Sequence, residues 1–140
     1  MSKTVELNSV EEVLTHEYDD YSMCNDLSYE YKLNFTNSGV IQGLAHDLHH
    51  LKSHIGPNGI STYLDHMEEL FMVEQALRTL QTINSPNYEV LKGSLTKVEI
   101  DEDGWIETEN YNDSEDWEKW SDDDHKLLLK WIESNKERFK

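Results

Sequence analysis

The chain has 140 residues, which suits one domain with a real core. Its formal net charge of −17 disfavours direct binding to nucleic acid or to an anionic membrane, because phosphate binding needs clustered Lys and Arg. A lone cysteine, Cys24, excludes an internal disulfide, and no apolar run has transmembrane length. Together with a polar start unlike a signal peptide, these features lead us to expect a soluble, cytoplasmic protein.

The first third of the chain predicts two strands and a short helix. Thr4–Leu7 alternates polar and apolar residues and could form a short strand. The run from Ser9 to Glu12 fits a capping box, and the helix that it opens is expected to end near Tyr18. Leu27–Phe35 alternates strictly, so it predicts a longer strand with one buried side.

The middle of the chain predicts two long helices. Apolar residues recur at helical spacing from about Ser38 to Ile55, and Gly56 is placed to end that helix. A second helix follows from about Ser61 to Ile83. Because the connection is short, we expect an antiparallel helical hairpin.

The last third predicts a small sheet and a terminal helix. Tyr88–Glu109 returns to strand-like patterns, with a turn at Asp101–Gly104. Ser121–Asp124 begins the last helix, whose acidic start and basic end complement the helix dipole. The expected fold is α+β: a helical hairpin and terminal helices packed on a small, mainly antiparallel sheet, in one acidic domain over residues 1–140.

A run of histidines lies on the first long helix. His46, His50 and His54 are spaced by four residues, and His49 lies beside them. Such spacing stacks imidazoles on one helical face and can bind Zn, Ni or Cu. This face lies opposite the apolar seam, so a solvated polar surface is expected rather than a buried metal site. A pH-sensitive contact surface and a native metal site are the alternatives.

The doublet His46–Asp47, which follows Ala45, superficially resembles the His–Asp doublet of the HD-domain phosphohydrolases. In that family a further His and a further Asp complete a metal site, and His16 would be the upstream candidate here. The resemblance implies the alternative function of a metal-dependent hydrolase. The chain is short for that all-helical fold, and the predicted strand Leu27–Phe35 does not fit it.

A second window resembles part of an EF-hand loop. Oxygen-bearing side chains alternate at Glu99, Asp101, Asp103 and Glu107, as calcium ligands do in that family. The twelfth position is Asn110, where the family needs a bidentate Glu, and the preceding residues predict a strand instead of a helix. A plain acidic hairpin turn is therefore expected, and a weakly Ca²⁺-responsive adaptor is a further alternative.

The acidic segment from Asp101 to Asp124 is the most informative part of the chain. It contains twelve carboxylates and one lysine, interspersed with Trp105, Trp117 and Trp120, which we expect to act as apolar anchors. An ordered acidic surface suggests a basic partner. A compact chain of this length is roughly 35–40 Å across, a distance over which B-DNA carries about twenty charges. In size and charge the chain resembles the small acidic DNA-mimic inhibitors that phages and mobile elements make against nucleases.

These features predict a non-enzymatic interaction or inhibitor protein that occupies a basic, nucleic-acid-binding groove on a partner such as a nuclease. We expect no catalytic residue, cofactor or metal ligand, because no nucleophile motif or phosphate-binding loop occurs. The residues predicted to bind the partner are Asp101, Glu102, Asp103, Glu107, Glu109, Asp113, Glu115, Asp116, Trp117, Glu118, Trp120, Asp122, Asp123 and Asp124.

Overall fold

The structure, a computed structural model, describes residues 4–112 and 114–140, with the backbone alone for residues 56–58. It is mostly helical with short strands, which agrees with the α+β class at that level. In chain order the elements are β1 (Glu6–Leu7), α1 (Val10–Thr15), α2 (Met23–Asn25) with a π-helical turn (Asp26–Glu30), β2 (Lys32–Leu33), α3 (Ser38–Asn58), α4 (Ile60–Met67), α5 (Leu70–Thr82), α6 (Asn87–Leu95), β3 (Glu99–Ile100), β4 (Ile106–Glu107), α7 (Ser114–Lys119), α8 (Asp124–Ser134) and a 3₁₀ turn (Lys136–Phe139). Within the described ranges, none of the helices is long and apolar enough to cross a membrane.

The chain divides into two compact units. The first combines residues up to His49 with Asp123–Lys140, and the second is His50–Asp122. The prediction of a single domain stays a prediction. In the first unit the largest fully buried side chains are Met23, Leu27, Ile41, Leu128 and Phe139; in the second they are Leu51, Ile55, Ile60, Tyr63, Leu64, Leu80 and Leu91.

The N-terminal cap at Ser9 is confirmed, but the reciprocal bond from Glu12 goes to Asn8 instead of to the N-cap residue. The Ser9 side chain accepts a hydrogen bond from the Glu12 backbone N–H at 3.2 Å, which satisfies one orphan donor of α1. The Glu12 carboxylate accepts in turn from the backbone N–H of Asn8. The helix ends at Thr15, earlier than Tyr18, while the predicted strand at Thr4–Leu7 is reduced to β1.

The strand predicted over Leu27–Phe35 is wrong for most of its length. Residues 26–30 form the π-helical turn, and only β2 is extended. The alternation came from tyrosines: Leu27 and Leu33 are buried, but Tyr29 stands on the surface. Strand β2 pairs in parallel with β1, so one of the small sheets departs from the expected antiparallel arrangement.

The two long helices are also divided differently from the prediction. Helix α3 passes Gly56 and ends at Asn58, and it is Gly59, at φ 86°, that turns the chain. The predicted second helix is broken between α4 and α5, where Glu68 adopts φ 64° and Glu69 forms a β-bridge with Trp105. Apolar spacing continues across this break, so the periodicity did not reveal it.

The region expected to be a sheet is part helix and part hairpin. The prediction of strand at Tyr88 and Val90 is wrong, because both lie in α6. The antiparallel pairing of β3 with β4 across the turn at Asp101–Gly104 is confirmed, with Ile100 opposite Ile106. Helix α7 was not predicted, whereas α8 begins at Asp124, as the acidic start indicated.

Two glycines give a matched test of the hairpin. Gly104 has φ 85°, which strains any residue with a Cβ, whereas Gly43 lies exposed in α3 with nothing within 4 Å of an added Cβ. We expect Gly104→Ala to lower the unfolding free energy by about 1 kcal/mol or more. Gly43→Ala should raise it by roughly 0.5–1 kcal/mol. Urea unfolding measures the unfolding free energy of both variants. Changes of the same sign in the two variants would contradict the positive-φ role assigned to Gly104.

Candidate interaction surface

The hairpin between β3 and β4 begins the acidic segment and is shaped by Asp101. Its carboxylate accepts from the backbone N–H groups of Asp103 at 2.9 Å and Trp105 at 3.0 Å. The Gly104 N–H donates to the Asp101 carbonyl at 3.0 Å, which closes the turn. Asp101 thus fixes the turn, while the side chains of Glu102 and Asp103 extend into solvent.

The hairpin is attached to the break between α4 and α5. The Ile106 N–H donates to the Glu68 carbonyl at 2.7 Å, and the Leu70 N–H donates to the Gly104 carbonyl at 2.8 Å. Together with the Glu69–Trp105 bridge, these bonds place residues 68–70 beside residues 104–106 of the hairpin, as a short extended segment. The positive φ of Glu68 therefore has a structural role, since it ends α4 and presents this edge to the hairpin.

A buried carboxylate, Asp116, holds the next part of the acidic segment. Its oxygens lie 2.9 and 3.0 Å from Lys97 Nζ, and the Tyr111 hydroxyl donates to it at 2.6 Å. Burial by itself raises the pKa of the Asp116 carboxyl, but hydrogen bonds from Tyr111 and Lys97 and the lysine charges outweigh it and hold that pKa below its usual range. Asp116 is only 4% exposed, so the structure removes it from the predicted partner-binding set.

A second polar contact holds the end of the segment. The fully buried Asn87 donates from Nδ2 to the Ser121 carbonyl at 2.8 Å, and its Oδ1 accepts from the Ser121 N–H at 2.8 Å. One amide side chain thus satisfies both backbone groups of a single residue. Asn87 begins α6 and Lys97 follows its end, so this helix supports the acidic segment at two points.

None of the three tryptophans that we expected to act as apolar anchors is fully buried. Trp105 is 42% exposed and Trp117 is 37% exposed, while Trp120 is partly buried. Ile106 supplies the buried apolar contact in the hairpin, and the polar contacts of Asp116 and Asn87 order the remainder. The hydrogen bonds of Asp116 and Asn87 therefore help to hold the segment, and Trp105 and Trp117 keep part of their surfaces accessible.

Most of the predicted carboxylates do face solvent. In the second unit the exposed ones, defined here as the acidic face, are Asp101, Glu102, Asp103, Glu107, Glu109, Glu115, Glu118 and Asp122. Asp123 is exposed and Asp124 is half-buried, but both belong to the first unit. Asp113 lies outside the described residues. The acidic face is accordingly limited to residues 101–122.

The predicted histidine face is divided between two sets of contacts. The ring of His46 packs on Tyr29, with the tyrosine hydroxyl 2.5 Å from Nδ1, and the His49 ring also contacts Tyr29. His50 and His54 instead form a group with His66 of α4, in which one ligand nitrogen of each lies within 4.8 Å of the others. His66 was not identified from the sequence, because only the turn at Gly59 brings α4 back to α3.

The calcium-like window does not have the expected context of an EF-hand. It is the β-hairpin of β3 and β4, and residues 96–98, which lie between α6 and this hairpin, are not helical. The Asp101 carboxylate is already used by two backbone N–H groups of the turn. The predicted hairpin turn is confirmed. The twelfth position of the window is Asn110, which cannot supply the bidentate carboxylate that an EF-hand uses there.

Asp116 gives a pH-dependent test of the polar framework. Because its folded pKa is depressed, its contribution to stability is present above the unfolded value of about 3.9 and is lost as pH falls through the folded value. We expect Asp116→Asn to lower the unfolding free energy at pH 7 by about 1–3 kcal/mol. The difference from the parent protein should shrink below about pH 4.

The control for this measurement is Glu118→Gln, an exposed neighbour on α7 that should change stability little. Urea unfolding between pH 3 and pH 7 provides the comparison. A difference between the parent and Asp116→Asn that stays constant over this range would show that the depressed pKa is not the cause.

The site therefore consists of exposed carboxylates on a hydrogen-bonded frame, with two accessible indoles among them. A separate group of three histidines lies on α3 and α4. The acidic surface could bind cationic groups, and the histidine group has nitrogen donors close together. The chain matches no protein-family model, no curated protein and no solved structure.

Proposed function

We propose that this chain is a non-enzymatic interaction or inhibitor protein whose acidic face occupies a basic, nucleic-acid-binding groove on a partner such as a nuclease. The observation that carries the proposal is the pairing of exposed carboxylates with a fixed backbone. The frame contacts at Asp116 and Asn87 order the segment without using the charges of the acidic face. A charged surface that is already ordered loses less conformational entropy on binding than a flexible acidic tail does.

The electrostatics favour a cationic partner. Among the described residues 101–112 and 114–122, eight carboxylates are exposed. Lysines are fewer there: Lys119 lies in α7, and Lys97, which precedes this stretch, is paired with Asp116. Like charges repel one another in the free protein, and a groove rich in Lys and Arg would relieve that repulsion. Complementary potentials also accelerate association, an effect that salt screens over about 10 Å at 0.1 M.

The exposed indoles distinguish an interaction surface from a merely solubilising one. Trp105 and Trp117 belong to the same stretch of chain as the acidic face and keep 42% and 37% of their surface exposed. Exposed tryptophan contributes nothing to solubility, whereas tryptophan is enriched among the residues that dominate binding energy. Their position among carboxylates fits a partner surface that presents cationic side chains, since Lys and Arg also pack on indole faces.

The alternative functions have less structural support. A hydrolase built on the His46–Asp47 doublet needs further ligands, and within the described residues the doublet belongs to no group of three metal-binding side chains. A Ca²⁺-responsive adaptor would need Asp101 to bind the ion, although its carboxylate already shapes the turn. Both remain weaker proposals than the acidic interface.

The first step of the test is to identify the partner. The protein is used as bait in a cell lysate at low and high salt, and the captured proteins are identified by mass spectrometry. Electrostatic binding predicts that capture is lost at high salt. The partner is then titrated with this protein in the presence and absence of saturating nucleic acid. If both bind the partner together without mutual loss of affinity, the nucleic-acid-groove proposal is wrong.

Charge position can be separated from total charge with two triple variants. Glu102→Gln, Glu107→Gln and Glu109→Gln remove three charges from the acidic face, whereas Glu11→Gln, Glu17→Gln and Glu74→Gln remove three exposed charges elsewhere. We expect the first set to slow association with the partner and to make its salt dependence shallower. The second set should have a smaller effect. Stopped-flow association rates at several salt concentrations measure both.

Equal slowing by the two sets would indicate that net charge acts without a defined surface, and the localised interface would then be abandoned. Circular dichroism and urea unfolding of both variants confirm that the comparison concerns binding. None of the six carboxylates is an acceptor in the Asp116 or Asn87 contacts, so the frame should stay intact.

The indole contribution has its own matched control. Trp117→Ala should weaken partner binding by about 2 kcal/mol, or roughly thirtyfold, if this side chain enters the interface. Phe71→Ala removes a similarly large, 60% exposed aromatic of the same unit that lies outside the acidic face. Calorimetry with the identified partner gives both affinities. A loss for Phe71→Ala as large as that for Trp117→Ala would argue against a specific role for the tryptophan.

A further inference from the structure

Three imidazoles converge in the second unit, apart from the residues of the acidic face. His50 and His54 are one turn apart on α3, and His66 lies near the end of α4. One ligand nitrogen of each lies within 4.8 Å of the corresponding nitrogens of the other two. The first two side chains are half-buried and His66 is exposed, so the group opens to solvent on one side.

The turn after α3 brings these residues together. Gly59 adopts φ 86° and donates its N–H to the Ile55 carbonyl at 3.0 Å, which directs the chain into α4. Helix α4 is then fixed by its buried residues Ile60, Tyr63 and Leu64. Because residues three apart share a helical face, His66 lies on the Tyr63 side, towards α3. The His50 ring centroid is 6.4 Å from that of Tyr63, in agreement with this placement.

The ring arrangement is close to what a shared ion needs. Zn–N bonds of 2.0–2.1 Å in a tetrahedral site separate the ligand nitrogens by about 3.4 Å. The ring centroids of His54 and His66 are 4.0 Å apart, those of His50 and His54 are 4.8 Å apart, and those of His50 and His66 are 5.7 Å apart. The ligand nitrogens themselves lie within 4.8 Å of one another, so each pair would have to approach by at most about 1.4 Å to share an ion.

We propose that His50, His54 and His66 form a binding site for a divalent transition-metal ion, with Zn²⁺ as the reference ion. Imidazole nitrogen suits Zn, Cu, Ni and Fe. The group contains three histidines and no cysteine, so it differs from structural sites that bind their metal through thiolates. Three protein ligands leave a fourth position for water or another donor. The exposure of His66 puts that position on the solvent side.

The site differs from the histidine face that the sequence indicated. His46 and His54 are eight residues apart, which is about 12 Å along a helix axis, so one ion cannot bind both. His46 is moreover engaged with Tyr29 through its Nδ1. The third ligand has to come from another element, and α4 supplies it as His66. The i, i+4 pair of His50 and His54 is thereby converted from a two-ligand chelate into a three-ligand site.

An ion bound here would cross-link α3 to α4 across the turn at Gly59. Since a ligand that binds the folded state alone stabilises it by mass action, Zn²⁺ should raise the unfolding midpoint of the protein. This consequence requires no enzymatic activity and no partner. It can therefore be measured whether or not the acidic face binds a basic protein.

The test uses the full-length, untagged protein, stripped with a chelator and then titrated with Zn²⁺ by calorimetry. A parallel titration with Co²⁺ reports ligand geometry by visible absorption. We expect one ion per chain. His54→Ala and His66→Gln should each weaken binding by at least about tenfold, the lower end of the loss caused even by outer-shell changes. His46→Ala is the control from the same helix and should bind like the parent protein.

The outcomes separate the possible forms of binding. If His66→Gln binds Zn²⁺ as tightly as the parent, only a two-histidine helical chelate exists and the three-histidine site is refuted. If His46→Ala loses as much affinity as His54→Ala, binding belongs to the helix face as a whole, which also refutes it. Absence of saturable Zn²⁺ binding to the folded parent protein overturns the proposal directly. Circular dichroism of each variant checks that it is folded. Because His66 is exposed, His66→Gln is the substitution that should disturb folding least.

Discussion

The hydrogen-bonded cluster of Lys97, Asp116 and Tyr111 is the contact on which the acidic segment depends. Twelve carboxylates lie between residues 101 and 124, and their mutual repulsion favours an extended, disordered chain. Folding one of them, Asp116, inward against a lysine and a tyrosine hydroxyl fixes the segment, while the eight carboxylates of the acidic face remain exposed to water. The buried charge is satisfied on both oxygens, which is the condition under which burial is tolerated.

Helix α6 connects this cluster to the rest of the second unit. It begins with the buried Asn87, which binds both backbone groups of Ser121, and Lys97 follows two residues after its end. The hairpin has a separate attachment, through Glu68 and Gly104, to the break between α4 and α5. The carboxylates of the acidic face thus belong to a segment held at several points, which is what the proposed interaction surface requires.

The features that the sequence predicted correctly depend on residues that are close together in the chain. The Ser9 cap, the turn at Asp101–Gly104 and the acidic start of α8 are local signals, and each is present in the structure. The incorrect predictions came from residue patterns that are compatible with two different kinds of secondary structure. Alternating tyrosines gave Leu27–Phe35 the appearance of a strand, and an uninterrupted apolar period concealed the break at Glu68.

The candidate sites divide in the same way. Exposure of most acidic residues follows from composition, so it was predictable, whereas the inward turn of Asp116 depends on Lys97, nineteen positions away. The histidine pair on α3 was visible as an i, i+4 spacing, but His66 joins it only through the geometry of Gly59. A side chain whose partner is distant in sequence leaves no local pattern, and Asp116 and His66 are both of this kind.

The two proposed sites are connected through the end of α4, which places a constraint on how they could influence each other. His66 precedes by two residues Glu68, whose carbonyl accepts from Ile106 in the hairpin that begins the acidic face. An ion that fixed the end of α4 would act on the support of that hairpin, through a path of two residues and one hydrogen bond. Any resulting change in partner affinity must be matched by an equal change in metal affinity, because coupling between binding sites is reciprocal. The two sites use different residues but are linked through the end of α4. Measuring the affinity for the metal ion with and without the partner, and the affinity for the partner with and without the ion, would give the coupling free energy between them.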